Sequence, residues 1–199
     1  RGAWILRAAS GSSVTFSAVS ARAFAVVLGV LAVVGLLGYG LLPKSGEKLA
    51  EGDAAPEASL PTLDGSATES LADYRGKWVL VNFWSASCDP CRDESPALQR
   101  FHEEHESDAF TVLGINQRDR TDDAEGFVEE YDLTHPQLRD AEGEQADQFG
   151  TSGLPESFLV DPSGNVALVR RGPVDSEYLD KYVRPLITAA TLEEDSSAS

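Results

Sequence analysis

The longest apolar stretch of the chain runs from Ala23 to Leu42 and contains no charged side chain. Folded as an α-helix, its twenty residues would span roughly 30 Å, about the thickness of the hydrocarbon core of a bilayer. A cleaved signal peptide is the alternative, but the run is longer than the usual signal core and no small-residue cleavage site follows it. The pattern therefore predicts an uncleaved signal-anchor, a transmembrane helix over residues 23–42.

The charges on either side of this stretch predict its orientation. Arg1, Arg7 and Arg22 all precede it, whereas the two lysines that follow it are accompanied by Glu47. The positive-inside rule then places residues 1–22 in the cytoplasm. We expect the rest of the chain on the extracytoplasmic side of the cytoplasmic membrane.

The residues after the apolar stretch divide by composition into three parts. Residues 43–57 are small and polar and include Gly and Pro, which is typical of a linker. Residues 191–199 predict a disordered acidic tail. The segment between them, 58–190, is long enough for one domain with its own core.

Inside this domain, apolar runs alternate with segments of helical periodicity. The runs 77–84 and 110–116 are short, nearly continuous and rich in branched and aromatic residues, which predicts strands buried on both faces. A helical pattern follows the first run, and Thr121 or Asp122 is the predicted cap of a later helix. The other predicted elements are a strand and turn over 59–66, a helical turn over 70–74, helices over 122–131, 144–149 and 175–187, and a hairpin of strands 157–160 and 166–170.

Cys88 and Cys91 are the only cysteines of the chain, and they lie where the strand 77–84 gives way to a helix. Backbone N–H groups and the positive end of the dipole at a helix N-terminus stabilise a thiolate over a thiol. Cys88, at or before the first turn, is therefore the predicted nucleophile. Cys91, one turn into the helix, is the predicted resolving thiol.

Three other interpretations of the cysteine pair are a half zinc site, a structural disulfide and inert core thiols. A structural zinc site needs four ligands, and the sequence offers no second cysteine pair. A disulfide across two residues closes so short a loop that it would constrain the unfolded chain weakly. A C-x-x-C motif beside a β-α pattern favours redox chemistry.

Two segments of the sequence resemble one protein family. Residues 79–96, VLVNFWSASCDPCRDESP, are similar to the active-site segment of the extracytoplasmic thioredoxin-like reductases, the TlpA, ResA and CcmG (DsbE) family. Residues 153–161, GLPESFLVD, resemble the cis-proline loop and following strand of that family. The resemblance extends over residues 53–188. It agrees with the predicted element order, a β-α-β half followed by a β-β-α half, which is typical of a thioredoxin-like α/β fold with a central mixed sheet and helices on both faces.

The resemblance implies roles for residues around the dithiol. It implies that Pro155 is a cis proline packed against the cysteines, and that Gly153 and Leu154 present backbone groups to a bound substrate chain. Trp84 is expected to form a wall of the site. Pro90 is expected to restrict the dithiol turn.

Glu94 lies three residues after Cys91, where the family places an active-site glutamate, and Asn82 stands where cytoplasmic thioredoxins carry a buried aspartate. From composition alone Glu94 would be a solvated helix acid. The resemblance implies instead that it assists proton transfer to or from Cys91. Ser87 departs from the family, whose members usually have a tryptophan before the first cysteine, and this leaves the substrate preference open.

The histidines suggest a rival function. His102 and His105 are three residues apart, a spacing that could share a metal, but their strongly polar surroundings favour a solvated helix face. His135 could join the two cysteines in a copper chaperone of thioredoxin-like fold, although such chaperones usually space their cysteines by three residues. A peroxiredoxin would need a Pro-x-x-x-Thr-x-x-Cys arrangement, which the sequence lacks. We therefore predict no metal site.

The net charge of the chain is −17, and residues 43–199 carry all 33 acids but only 13 of the 16 bases. The outer part is thus strongly acidic, which argues against nucleic-acid binding. No partner follows from this charge alone.

The sequence as a whole predicts a membrane-anchored protein-disulfide reductase that needs no cofactor beyond its Cys88–Cys91 disulfide. The resemblance implies apocytochrome c as a client, and a membrane thiol-transfer protein of the CcdA or DsbD type as electron donor. The alternative is an extracytoplasmic thiol oxidant or isomerase of the same fold. The reduction potential of the dithiol separates the two.

Overall fold

The computed structural model describes residues 26–31, which are helical, and residues 48–189. The predicted anchor over 23–42 lies outside the described residues except for 26–31. The predicted cytoplasmic segment 1–22 and the tail 191–199 also lie outside them, as does the first part of the linker. Among the described residues, no helix is long and apolar enough to cross a membrane.

A five-stranded mixed sheet forms the centre of the described residues from 48 onward. Its strand order is β5-β4-β3-β6-β7, with β3, β4 and β5 mutually parallel and β6 antiparallel to both β3 and β7. A small antiparallel pair, β1 and β2, precedes it. The strands are β1 (Leu60–Pro61), β2 (Thr68–Glu69), β3 (Trp78–Trp84), β4 (Phe110–Gln117), β5 (Gln137–Asp140), β6 (Glu156–Val160) and β7 (Val166–Arg171).

Three helices and one 3₁₀ turn connect these strands, and a fourth helix follows β7. The turn is capped by Ser70, and the last helix is capped by the Asp175 side chain, which accepts a hydrogen bond from Tyr178 N. That helix passes through a π-helical segment before its last turn at 184–189. The elements are the turn Leu71–Tyr74, α1 (Asp89–His105), α2 (Thr121–Glu130), α3 (Glu144–Gln148) and α4 (Ser176–Tyr178), with the π-helical segment Leu179–Val183.

The core lies on both faces of β3, because successive side chains of a strand point to opposite sides. Leu80 faces a cluster that includes residues of α1 and the C-terminal helix. Val81 and Phe83 face the opposite cluster, where the Phe83 ring lies 5.0 Å from Phe149 and 5.9 Å from Phe158. The predicted α/β fold with a central mixed sheet and helices on both faces is confirmed.

Two local features differ from the sequence-based expectation. α2 begins at Thr121, its N-cap is Arg120, and no side chain caps it. The prediction of Thr121 or Asp122 as cap was wrong, because the first helical hydrogen bond already runs from Ala124 N to Arg120 O. The strand β5 was not predicted, since its only apolar side chain is Leu138.

Candidate active site

The dithiol occupies the junction between β3 and α1. Cys88 is the N-cap of α1, and Pro90 lies in the first turn. The two cysteines form a disulfide, and Cys91 N donates to Cys88 Sγ at 3.2 Å. Cys88 is partly exposed, whereas Cys91 is 1% exposed. Of the two sulfurs, therefore, only that of Cys88 can attack another molecule or be attacked by one.

Cys91 is covered by an apolar cluster at the carboxyl end of β3. The indole of Trp84 stacks on the Phe127 ring at 4.5 Å, and Trp84 Nε1 donates to Gln137 Oε1 at 2.9 Å. Leu63 packs in the same cluster. Because Trp84 is only 3% exposed, it supports the dithiol from inside the domain.

Glu94 is 2% exposed, one helical turn after Cys91. Its Oε1 accepts a hydrogen bond from Asn82 Nδ2 at 2.8 Å and its Oε2 accepts one from Val174 N at 2.9 Å. Burial raises the pKa of Glu94 to about 7, and these two hydrogen bonds and the Arg170 charge oppose that rise. The side chain can thus both accept and release a proton near neutral pH, so it is not the solvated acid that composition alone suggests.

The Leu154–Pro155 peptide bond is cis. The loop that contains it leads into β6, whose pairing with β3 places Glu156 opposite Phe83 and so brings the loop to the dithiol end of the sheet. Leu154 packs against the cluster around Cys91. Within residues 48–189, neither Leu154 N nor Leu154 O has a hydrogen-bond partner, so both are available to another chain.

The buried carboxylate of Glu156 fixes this loop. It accepts hydrogen bonds from Ser152 N and Ser152 Oγ, both at 2.9 Å, and pairs with Arg171. The backbone next to the cis proline is therefore held in place from within the domain.

A polar cleft of about 350 Å³ lies between the dithiol loop and the cis-proline loop. Ser87 lines it on one side, and Gly153 and Leu154 line it on the other. The structure thus brings the loop that precedes the cysteines together with the loop that contains Gly153, Leu154 and Pro155. Pro90 is exposed in the first turn of α1 and does not line this cleft.

Sequence reasoning missed Asp119, which follows β4 and also lines the cleft. Its carboxylate accepts hydrogen bonds from Ala86 N at 2.6 Å and Ser85 Oγ at 2.8 Å. One signal could have indicated it. Residues that follow neighbouring parallel strands meet at the same edge of a sheet, and β3 and β4 are such strands.

The histidines do not form a solvated face, and that prediction was wrong for His102. His102 is 1% exposed, because it shares the buried side of α1 with Leu98, one turn earlier. Its ring lies 5.4 Å from that of His135, whose pKa burial lowers to about 3. Within the described residues, no group of three or more His, Cys, Asp or Glu side chains is arranged to hold a metal ion.

The sequence matches the model of the AhpC/TSA family over residues 51–169. It is 33% identical over 141 residues to the thiol-disulfide oxidoreductase ResA of Bacillus thuringiensis subsp. konkukian, covering 70% of this chain and 80% of the relative. It is 32% identical over 168 residues to the thiol:disulfide interchange protein HelX of Rhodobacter capsulatus, covering 80% of this chain and 93% of the relative.

Solved structures give a consistent result. A thiol:disulfide interchange protein from Chlorobium tepidum, assigned as DsbE, superposes with a TM-score of 0.63 at 29% identity, covering 73% of this chain and 99% of that one. A DsbF homologue from Corynebacterium diphtheriae superposes with a TM-score of 0.59 at 32% identity, covering 73% and 95% of the two chains. In fold and in sequence, the chain is thus similar to proteins that exchange thiols and disulfides.

Proposed function

The chain belongs to the AhpC/TSA family and is a thiol-disulfide oxidoreductase of the ResA and DsbE type, and from this premise we propose that it reduces disulfide bonds of client proteins on the extracytoplasmic side of a cytoplasmic membrane. The observation that carries the proposed direction is the buried carboxyl of Glu94, one turn after Cys91. A carboxylate near the sulfurs disfavours the thiolate, and a dithiol that is less stable when reduced is a stronger reductant. The same group can take the proton that Cys91 must lose.

The reaction proceeds by two exchanges. The Cys88 thiolate attacks one sulfur of a client disulfide, which forms a mixed disulfide and releases the other client sulfur as a thiolate. Cys91 passes its proton to Glu94 and attacks the Cys88 sulfur, which releases the second client sulfur. The client gains two electrons, and Cys88 and Cys91 are left joined by a disulfide, as in the structure.

Client binding is proposed to use the unpaired backbone of Leu154. An extended client segment can add to that backbone as an edge strand would, with its cysteine directed at Cys88. Gly153 leaves room for the approach, since a Cβ built there meets nothing within 4 Å. Ser87 leaves open a polar cleft that a tryptophan would fill, so we propose clients with small or polar side chains beside their cysteine.

The proposed setting and partners rest on the sequence. Residues 23–42 are proposed to anchor the protein with its N-terminus in the cytoplasm. A membrane thiol-transfer protein of the CcdA or DsbD type is the proposed electron donor, because an extracytoplasmic dithiol needs reducing equivalents from another compartment. Apocytochrome c is the proposed client, and the support for it is the resemblance to the TlpA, ResA and CcmG family. No cofactor takes part in the proposed steps.

The reduction potential of the Cys88–Cys91 pair tests the proposed direction. The full chain would be equilibrated with glutathione and dithiothreitol buffers of known potential, and the dithiol fraction measured by thiol alkylation and mass spectrometry. We expect a value near or below that of thioredoxin, about −270 mV. A value close to that of DsbA, about −120 mV, would replace the reductase with the alternative, a thiol oxidant.

A further inference from the structure

Hydrogen bonds fix the three residues between β3 and Cys88. One of the acceptors belongs to a residue from another part of the chain. Cys88 N donates to Ser85 O at 3.1 Å and Ser87 N donates to Ser85 Oγ at 3.2 Å, both within the loop. Ala86 N donates instead to Asp119 Oδ2 at 2.6 Å. The Ala86 peptide is therefore fixed by a residue more than thirty positions away in sequence.

The other side of the loop is held by a positive charge. Ala86 O accepts a hydrogen bond from Arg92 Nη2 at 2.7 Å, and Arg92 Nη1 pairs with Glu130 of α2 at 2.9 Å. A carboxylate and a guanidinium thus hold the alanine residue two positions before Cys88, one through its N–H and one through its C=O. We call Asp119, Arg92 and the bound Ala86 backbone the Ala86 clamp.

Asp119 is itself fixed from several directions. Asn116 Nδ2 donates to its Oδ2 at 2.7 Å and Ser85 Oγ donates to its Oδ1 at 2.8 Å. Its backbone carbonyl accepts a hydrogen bond from Arg139 Nη2 of β5 at 3.0 Å. The residue before it, Arg118, has a φ of 59°, a left-handed conformation that turns the chain sharply after β4. A carboxylate held this firmly acts as a rigid support.

We propose that Asp119 is a positioning residue for the dithiol, which acts through the Ala86 clamp to hold Cys88 at the N-terminus of α1 and which sets the reactivity of its thiol. Two opposing effects follow. The hydrogen bonds keep the Cys88 sulfur where the helix N-terminus stabilises the thiolate. The negative charge of the same carboxylate disfavours that thiolate. This proposal rests on the redox dithiol but not on the direction of electron flow or on the client.

Three substitutions separate the two effects. Asp119→Glu keeps the charge but moves the carboxylate by one methylene. Asp119→Asn keeps the shape and one acceptor oxygen but removes the charge. Asp122→Asn is the control, because Asp122 is an exposed acid of the neighbouring groove that also contains Asp119. Within the described residues, its side chain makes no hydrogen bond or ion pair.

The readout is the pKa of the Cys88 thiol in the reduced full chain, from the rate of iodoacetamide modification of Cys88 between pH 4 and 10, with the modified peptide quantified by mass spectrometry. We expect Asp119→Glu to raise this pKa by about 0.5 or more, because the thiolate loses its support. We expect Asp119→Asn to lower it by about 0.3 or more, because a nearby negative charge is lost. Asp122→Asn is expected to change it by less than about 0.2, since solvent screens an exposed charge.

Opposite shifts in the two Asp119 variants support the proposal, because a residue that only stabilises the fold would not produce them. Shifts in the same direction, or an Asp119→Asn shift no larger than the control, overturn it. Thermal unfolding checks that each variant is folded. If the glutamate variant does not fold, Asn116→Ala replaces it, since it removes one hydrogen bond to Asp119 and leaves the charge and the loop's own hydrogen bonds. A Cys88 pKa in Asn116→Ala that is unchanged overturns the proposal, and a raised one supports it.

Discussion

Glu94 gives the sharpest test of the site, because its protonation is linked to both stability and chemistry. The carboxyl is 2% exposed and burial raises its pKa from 4.5 to about 7. Between these two pH values the folded protein binds a proton that the unfolded chain has released. The stability that this group contributes is therefore fully present below pH 4.5, and it is lost as the pH rises through 7. The difference between the two pKa values corresponds to roughly 3 kcal/mol.

Replacing Glu94 by Gln removes the loss of stability that ionisation of the buried carboxyl causes at high pH. It adds a smaller cost, that of an unpaired buried donor. The glutamine oxygen can accept from either Asn82 Nδ2 or Val174 N, so one of the two donors loses its partner. An unsatisfied buried donor costs about 1–2 kcal/mol. At pH 8 we expect Glu94→Gln to be more stable than the native protein by about 1–2 kcal/mol, and at pH 4.5 to be less stable by about 1–2 kcal/mol.

Urea unfolding of the oxidised full chain, followed by tryptophan fluorescence at pH 4.5 and pH 8, measures this change of sign. Asp93→Asn is the matched control, because Asp93 is an exposed acid of the same helix. We also expect Glu94→Gln to slow turnover at pH 7, because Cys91 loses its proton acceptor. If the unfolding free energy depends on pH equally in the native protein and in the Glu94→Gln variant, the raised pKa of Glu94 is refuted. Unchanged thiol titrations and reduction rate would remove the proposed role in proton transfer.

The remaining predictions concern the resolving thiol, the buried histidine and the core. Cys91→Ser should trap the mixed disulfide at Cys88, seen as a client adduct on a non-reducing gel, and a free client would contradict the assignment of Cys91. His135 has a pKa lowered to about 3, so it stays neutral when folded and stability should fall by up to about 1.4 kcal/mol per pH unit below pH 6.5. His135→Gln should reduce the fall in the urea midpoint between pH 7 and pH 5. An equal fall in the native protein and the variant would contradict the lowered pKa of His135. Phe83→Ala should cost about 3–5 kcal/mol of unfolding free energy by urea titration, because Phe83 is 0% exposed, and a cost below about 1 kcal/mol would contradict its place in the core.

The elements predicted best from the sequence are those with an unambiguous local signal. The continuous apolar run of β3 and the dithiol beside it located the strand, the helix start and the two cysteines. Residues 161–165, DPSGN, likewise predicted the hairpin between β6 and β7. Pro fixes φ for a turn, Gly accepts a positive φ, and Asp and Asn side chains bond to the nearby backbone.

The elements that were missed are stabilised by contacts between distant parts of the chain. β5 buries Gln137 and Asp140, and neither residue signals a buried strand. Each is satisfied only in the fold, where Trp84 Nε1 donates to Gln137 Oε1 and Ala146 N donates to Asp140 Oδ2. His102 was misjudged for a related reason, since its polar sequence neighbours conceal its contact with His135. Buried polar groups are determined by their partners, and a single sequence does not show those partners.

Asn82 and Glu94 show which features of the site the sequence indicated and which contacts only the structure reveals. The resemblance indicated that an asparagine replaces the buried aspartate of cytoplasmic thioredoxins, and that a glutamate stands on the helix. The structure connects the two, because Asn82 Nδ2 donates both to Glu94 Oε1 at 2.8 Å and to Ser157 Oγ at 3.1 Å. A carboxylate at position 82 could donate nothing, and its charge would raise the pKa of Glu94 further. An amide on β3 therefore lets the domain hold one buried acid beside its dithiol with both carboxylate oxygens satisfied.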